Sequence, residues 1–124
     1  MQRNIYVVKN VKAGAENIVK YRIKSILHTG TYGEKKTPRT DGKYPSRTGR
    51  IVEFDERDIV EGFPLYMYYI TDDNGNEYVG INVRRYALRT SSVIDWDYVY
   101  DDVIRIETIN SIYELEKIKE LHKD

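Results

Sequence analysis

The chain has 124 residues, with 20 Lys and Arg against 20 Asp and Glu, 12 tyrosines, two histidines and no cysteine. That is one domain's length, enough to bury roughly two-thirds of the unfolded surface without a disulfide or structural metal, and the missing cysteine excludes zinc–thiolate sites, redox motifs and cysteine nucleophiles. Charged residues make up 32%, no apolar run approaches the ~20 residues of a membrane helix and none of signal-peptide type follows Met1, so a cytoplasmic protein with no membrane contact is expected.

Tyrosine, valine and isoleucine are abundant, and such side chains suit a pleated, half-buried surface better than a helix. Residues 5–8 form a short apolar run, a candidate first strand, and residues 12–17 read as an exposed connection. The next stretch, 18–27, fits two periods. Ala15, Ile18, Val19, Ile23, Ile26 and Leu27 trace a helical stripe, while Val19, Tyr21, Ile23 and Leu27 alternate with Lys20, Arg22 and Lys24. The basic alternation and the exit at Gly30 and Gly33 favour a strand. Residues 29–46 hold Gly30, Gly33, Pro38, Gly42 and Pro45 with almost no aliphatic side chain, which predicts a long basic surface loop. Loops beyond ~12–15 residues are uncommon in compact domains and often functional.

Residues 50–54 alternate as a short strand, and residues 56–62 make an acidic connection. Residues 65–71 place Leu65, Met67 and Tyr69 on one face and Tyr66, Tyr68 and Ile70 on the other, so both faces are expected to be covered. The run Asp72, Asp73, Asn74, Gly75, Asn76 contains Asn-Gly, which supplies the two positive φ angles of a type I′ hairpin turn. A return strand over 77–84 then sends Val79, Ile81 and Val83 inward and Tyr78, Asn82 and Arg84 outward. Residues 88–91 read as a short edge piece. Ile94, Trp96, Tyr98 and Tyr100 alternate with Val93, Asp95, Asp97 and Val99, and Asp101 and Asp102 turn the chain into a strand over 103–109. Asn110 and Ser111 turn it again into 112–115, and residues 116–124 predict a helical or frayed tail with Leu115, Ile118 and Leu121 along one edge. The sum is a single, mainly β domain over 1–124. It is expected to be a small antiparallel barrel or tight sandwich, SH3-like or OB-like, with a short C-terminal helix.

The zero net charge conceals a division. Residues 1–50 carry twelve Lys and Arg against three acids, a balance of +9, and residues 51–124 carry eight against seventeen, a balance of −9. Either basic and acidic strands face each other across the sheet, or a basic face gathers an anionic partner. The basic excess is densest at Lys35, Lys36, Arg39, Lys43, Arg47 and Arg50, opposed by Glu34 and Asp41.

The chemistry-bearing residues are few. His28 and His122 are far apart, and His28 reads as an ordinary strand-end residue, so neither a triad nor a histidine metal site is expected. No phosphate-loop, dinucleotide or zinc-protease motif is present, and no cofactor is expected. Asp72 starts no calcium loop, because Glu77 occupies the sixth position where glycine belongs. Asp95 and Asp97 share the face opposite Trp96 and, with Asp101, offer a carboxylate-dependent hydrolase as one alternative. More pointed are two stretches that combine guanidinium, phenol and hydroxyl groups: Tyr44, Arg47 and Arg50, and Arg84, Arg85, Tyr86, Arg89 and Thr90. Arginine offers bidentate donors to phosphate or carboxylate, and tyrosine stacks on bases or anchors protein interfaces. These eight residues are the candidate binding surface. Its expected partner is a host protein or an anionic nucleotide, with a single-stranded nucleic acid as another alternative. Tyr-rich edges also allow a homodimer.

Five stretches carry a resemblance: residues 21–26 (YRIKSI), 30–33 (GTYG), 47–52 (RTGRIV), 88–91 (LRTS) and 106–113 (IETINSIY). Over residues 21–115 the chain resembles small β-rich accessory proteins of Gram-positive bacteria and their phages. The resemblance implies a β-rich fold and brings no enzymatic activity with it. A phage or mobile-element origin would further imply a small binder that occupies a host protein or captures a nucleotide, acting as an anti-defence inhibitor. The expectation is therefore a non-catalytic binding protein.

Overall fold

The computed structural model describes residues 18–79 and 86–118. Six strands carry the fold: β1 (Ile18–His28), β2 (Ile51–Asp55), β3 (Pro64–Tyr69), β4 (Ala87–Tyr100), β5 (Val103–Thr108) and β6 (Ser111–Lys117). A one-turn helix, α1 (Tyr44–Arg47), and a 3-10 turn (Glu56–Asp58) are the helical elements among the described residues. Every strand pairs antiparallel with its neighbour in sequence, and β6 returns to β1, so the sheet closes into a barrel. Closure removes the exposed edges that a six-stranded open sheet would present. The order is that of an up-and-down meander, unlike the Greek-key order of a five-stranded OB barrel.

Alternation fills the interior. Tyr21, Ile23, Ile26, Val52, Phe54, Leu65, Met67, Tyr69, Leu88, Val93, Trp96, Ile104, Ile106, Tyr113 and Leu115 form one buried cluster, closed off by Ile59 from the connection after β2. The period slips at several points, two of which change the faces expected from alternation. In β1 the register shifts between Ile23 and Ser25, so the inward set passes from Tyr21 and Ile23 to Ile26 and His28. A bulge inserts one unpaired residue and moves every later side chain to the other face. The three-residue step that it makes is what imitated a helical stripe in the sequence. In β4 a second shift between Val93 and Asp95 buries Val93 and Trp96 but leaves Ile94 and Tyr98 exposed, against the expectation of a single alternation from Ile94 to Tyr100.

Other expectations are corrected by the packing. Residues 88–91 are not a separate short piece but the first half of the 14-residue β4, which pairs with β3 over Ala87–Ser92 and with β5 over Val93–Tyr100. Tyr66 is exposed while Tyr68 and Ile70 are half-buried, so the outer face of β3 is covered only in part. Among residues 72–76 only Gly75 has positive φ (87°), so the turn is not type I′. It is built instead around the Asp72 carboxylate, which accepts from the backbone N–H of Asn74 and Asn76, both at 2.9 Å. Glu77 makes an isolated bridge to Thr71 rather than opening a strand, and Val79 is 87% exposed instead of inward. Glu116 and Lys117 belong to β6, so the expected C-terminal helix does not start there. The candidate strand over 5–8, residues 80–85 and the tail from 119 onward lie outside the described residues.

The register accounts for part of the charge division, since Lys20 faces Glu53 and Arg22 faces Glu116, while Arg105 faces Glu114 and Asp97 within the acidic part itself. Opposite charges on facing strands contribute roughly 0.2–1 kcal/mol per pair. The loop cations have no such strand partners. No helix among the described residues is long and apolar enough to cross a membrane.

Candidate functional site

The basic segment after β1 is packed rather than free. It runs back along β1 on the side that β2 occupies further down: Thr37 accepts from the His28 N–H (2.8 Å), Ile26 accepts from Arg39 (2.8 Å), and Ile23 exchanges bonds with Gly49 and Arg50 (2.8 and 2.9 Å). Arg39 fastens it. The residue is 5% exposed, and its guanidinium donates to the Asp41 carboxylate, to the Asn110 carbonyl (2.9 Å) and to the Ser111 hydroxyl (3.0 Å), and lies 3.9 Å from the Tyr44 ring centroid and 5.3 Å from that of Tyr32. That hydrogen bond holds the Asp41 carboxyl below the usual carboxylate range. His28 is also buried here, tight against Gly33, and its Nδ1 has no hydrogen-bond partner among the described residues.

Fastening the loop sets α1 over this end of the barrel. Arg47 lies 4.8 Å from the Tyr44 centroid, so Tyr44 takes two guanidinium groups. Arg50, the residue before β2, lies 3.5 Å from the Tyr69 centroid and donates to the Thr71 carbonyl and the Tyr78 hydroxyl, each at 3.0 Å. Tyr78 in turn stacks on Tyr86 at 4.5 Å. The Tyr69 hydroxyl sits in the field of both Arg47 and Arg50, yet burial wins and raises its pKa. Tyr113 is buried beside Tyr44, Arg47 and Tyr69, and burial pushes its phenol up to about 12. Among the described residues neither Arg47 nor Arg50 has a carboxylate within ion-pair distance. Asp72 feels Arg50, but its carboxyl is held low chiefly by the Asn76 N–H.

Of the eight candidate residues, Tyr44, Arg47, Arg50 and Tyr86 therefore meet in one cluster at the end of the barrel. Arg84 and Arg85 lie outside the described residues. Arg89 is on the outer face, where its Nε donates to the Tyr66 hydroxyl at 2.9 Å. Thr90 points inside: it is buried, accepts from the Leu65 N–H (2.9 Å) and donates to the Ser91 carbonyl. Sequence reasoning left out Tyr69, Tyr78 and Tyr113, which join the cluster, and Arg39, which positions it. Tyr69 and Tyr113 occupy inward positions of alternating strands, a signal for core rather than for a binding site.

A second constellation stands at the far end of β2. The Glu56 carboxylate accepts from the Tyr21 hydroxyl (2.7 Å) at one oxygen and from the Tyr98 hydroxyl at the other. Burial, reinforced by this carboxylate, raises both phenols well above the ordinary tyrosine range. Tyr21 stacks on Phe54 at 4.6 Å, and Trp96 meets Tyr98 edge-on at 5.8 Å. The acids named from the sequence do not converge there: Asp95 pairs with Arg105 at 3.3 Å, and Asp97 accepts the Tyr98 N–H. Among the described residues no group of three His, Asp or Glu side chains is placed to hold a metal ion. No protein-family model, curated protein or solved structure matches the chain, so the geometry alone supports a functional reading.

Proposed function

We propose that this chain is a non-catalytic binding barrel whose arginine and tyrosine end engages one anionic partner, either an acidic face of a host protein or an anionic nucleotide. One observation carries the reading. Arg47 and Arg50 stand among Tyr44, Tyr69, Tyr78 and Tyr113 without a carboxylate partner among the described residues. A guanidinium set on an aromatic face, as Arg47 is on Tyr44, keeps its in-plane donors for an incoming carboxylate or phosphate, while Arg50, with Nε and Nη2 already bonded to Thr71 and Tyr78, offers its remaining N–H groups and its charge. The barrel supplies the rigid mount that such a site requires. A phage or mobile-element origin, with inhibition of a host defence component, belongs to this reading through the resemblance.

The test is calorimetric titration of a nucleotide panel and affinity capture from bacterial lysate, each run beside the Arg47→Ala/Arg50→Ala variant. The expected result is one saturable partner, weakened at least ~100-fold in the variant, since losing two charge-assisted bonds amounts to about 3 kcal/mol or more. Equal retention by wild type and variant, or no partner at all, would sink the proposal.

A second reading, a single-stranded nucleic-acid binder, is favoured by exposed Tyr66 beside Arg89 on the outer face. Stacking platforms next to cations are the usual equipment for that task. Absence of a mobility shift at about 50 mM salt, where phosphate contacts are strong, would remove it. The hydrolase alternative through Asp95, Asp97 or Asp101 draws no support from the placement of these acids.

A further inference from the structure

We infer that the two ends of the barrel are complementary to each other, and that copies of this chain associate head to tail, the arginine and tyrosine end of one seated on the acidic, aromatic-rimmed end of the next. The strands fix the polarity. β1 runs from one end at Ile18 to the other at His28, and β2 leads from Arg50 at the first site to Glu56 at the far one. Arg50 and Glu56 are six residues apart along β2, about 20 Å when extended, which is about two Debye lengths at 0.1 M salt.

The far end is assembled from several elements. Ile18 faces Asp55, Tyr21 faces Lys117, the Lys117 N–H donates to the Asp102 carbonyl, and Tyr98 reaches Glu56. The start of β1, the acidic connection after β2, the β4–β5 turn and the end of β6 therefore share one end. Past the end of β2, residues 56–61 carry three acids against one arginine, and the β4–β5 turn adds Asp101 and Asp102, with Lys117 of β6 the cation beside them. Asp58 and Asp101 are exposed, and Ile18, Tyr98, Val99 and Tyr100 present apolar surface beside them. The opposite end presents exposed Lys35, Lys36 and Lys43 with Tyr32, besides Arg47 and Arg50.

Like ends repel, so a two-fold contact through either end sets charge against equal charge. Only unlike ends match, and a heterologous contact of this kind repeats along an open chain or closes a ring. Zero net charge removes the overall repulsion that keeps strongly charged proteins apart. A neighbouring copy and the anionic partner would compete for the same end, so the inference extends beyond the proposed function without depending on the identity of that partner.

Sedimentation velocity across a concentration series tests it, using Lys36→Glu/Lys43→Glu at one end and Asp58→Lys/Asp101→Lys at the other, all exposed positions that leave the core untouched. At about 10 mM salt the wild-type mass is expected to rise with concentration past two copies of the 14.7 kDa chain, and at about 500 mM salt to fall to one. Each reversal alone should be monomeric, and mixing the two should restore association, because their altered ends attract. A wild type that stays monomeric at every concentration overturns the inference. So does a dimer that stops at two copies and persists in both variants, or a mixture that fails to re-associate.

Discussion

Arg39 shows how one side chain organises a loop that its composition describes only as basic and glycine-rich. A guanidinium is tolerated inside a protein only when its donors are used, and here they meet a carboxylate, a carbonyl and a hydroxyl while the plane lies on Tyr44. Replacing Arg39 with methionine keeps the volume but leaves the Asn110 carbonyl and the Ser111 hydroxyl without this donor. The expected cost is about 2–3 kcal/mol in urea unfolding, with loss of the ordered loop seen as faster amide exchange at Thr37 and Arg39. Arg39→Lys should recover less than half, because an ammonium cannot span the three acceptors in one plane. A change below about 0.5 kcal/mol would mean that the loop holds itself. None of this was legible in the sequence, where six cations within 22 residues look alike and burial of one of them is set by contacts to a turn 71 residues away.

At the scale of elements, alternation located most strands and kept the inward face of β3, but lost the faces wherever a bulge intervenes. Alternation located β1, β2, β3 and β5 to within a residue or two, because half-buried strands repeat every second position. It failed at the bulges after Ile23 and Val93, since an inserted residue depends on the register of the partner strand, which local sequence does not encode. The candidate site was half legible for the same reason. Tyr44, Arg47 and Arg50 are close in sequence, while Tyr69 and Tyr113 join them only through barrel closure. The connection after β2 makes the element-scale prediction. Ladder pairing between β2 and β3 is confined to Val52 with Tyr69 and Glu53 with Tyr68, so this connection is held down by Ile59 in the core and by the Glu56 carboxylate. Glu56→Ala strips the acceptor from the Tyr21 hydroxyl and should cost about 1–3 kcal/mol. Tyr21→Phe should cost less, and the double variant little more than Glu56→Ala alone, because both changes break the same bond. Full additivity in this double-mutant cycle would show that the bond contributes nothing.

Across the whole molecule, ionisation bounds stability on both sides, and the two limits come from different residue types. On the acid side, Asp41 and Asp55 are held low by arginine hydrogen bonds and Asp72 by backbone N–H groups. The unfolded chain therefore takes up protons first as pH falls, so their stabilisation is complete above the ordinary carboxylate range near 4 and is lost as pH drops through it and below. On the alkaline side, burial raises Tyr21, Tyr69, Tyr98 and Tyr113. Here the unfolded chain gives up protons first, near pH 10, so stability is complete below that value and falls as pH climbs toward the folded pKa, which for Tyr113 is about 12. Urea midpoints measured from pH 2 to pH 12 at constant salt should trace a plateau between about 5 and 9, with a decline at each end. Phenolate absorbance should rise in two stages. In the later stage the buried phenols of Tyr21, Tyr69 and Tyr113 ionise only together with loss of the barrel's circular-dichroism signal. Tyr113→Phe should shrink the second stage without moving the first. A single reversible ionisation step that leaves the fold intact would mean that these phenols are open to solvent, and the interior packing described for β1, β3 and β6 would be wrong.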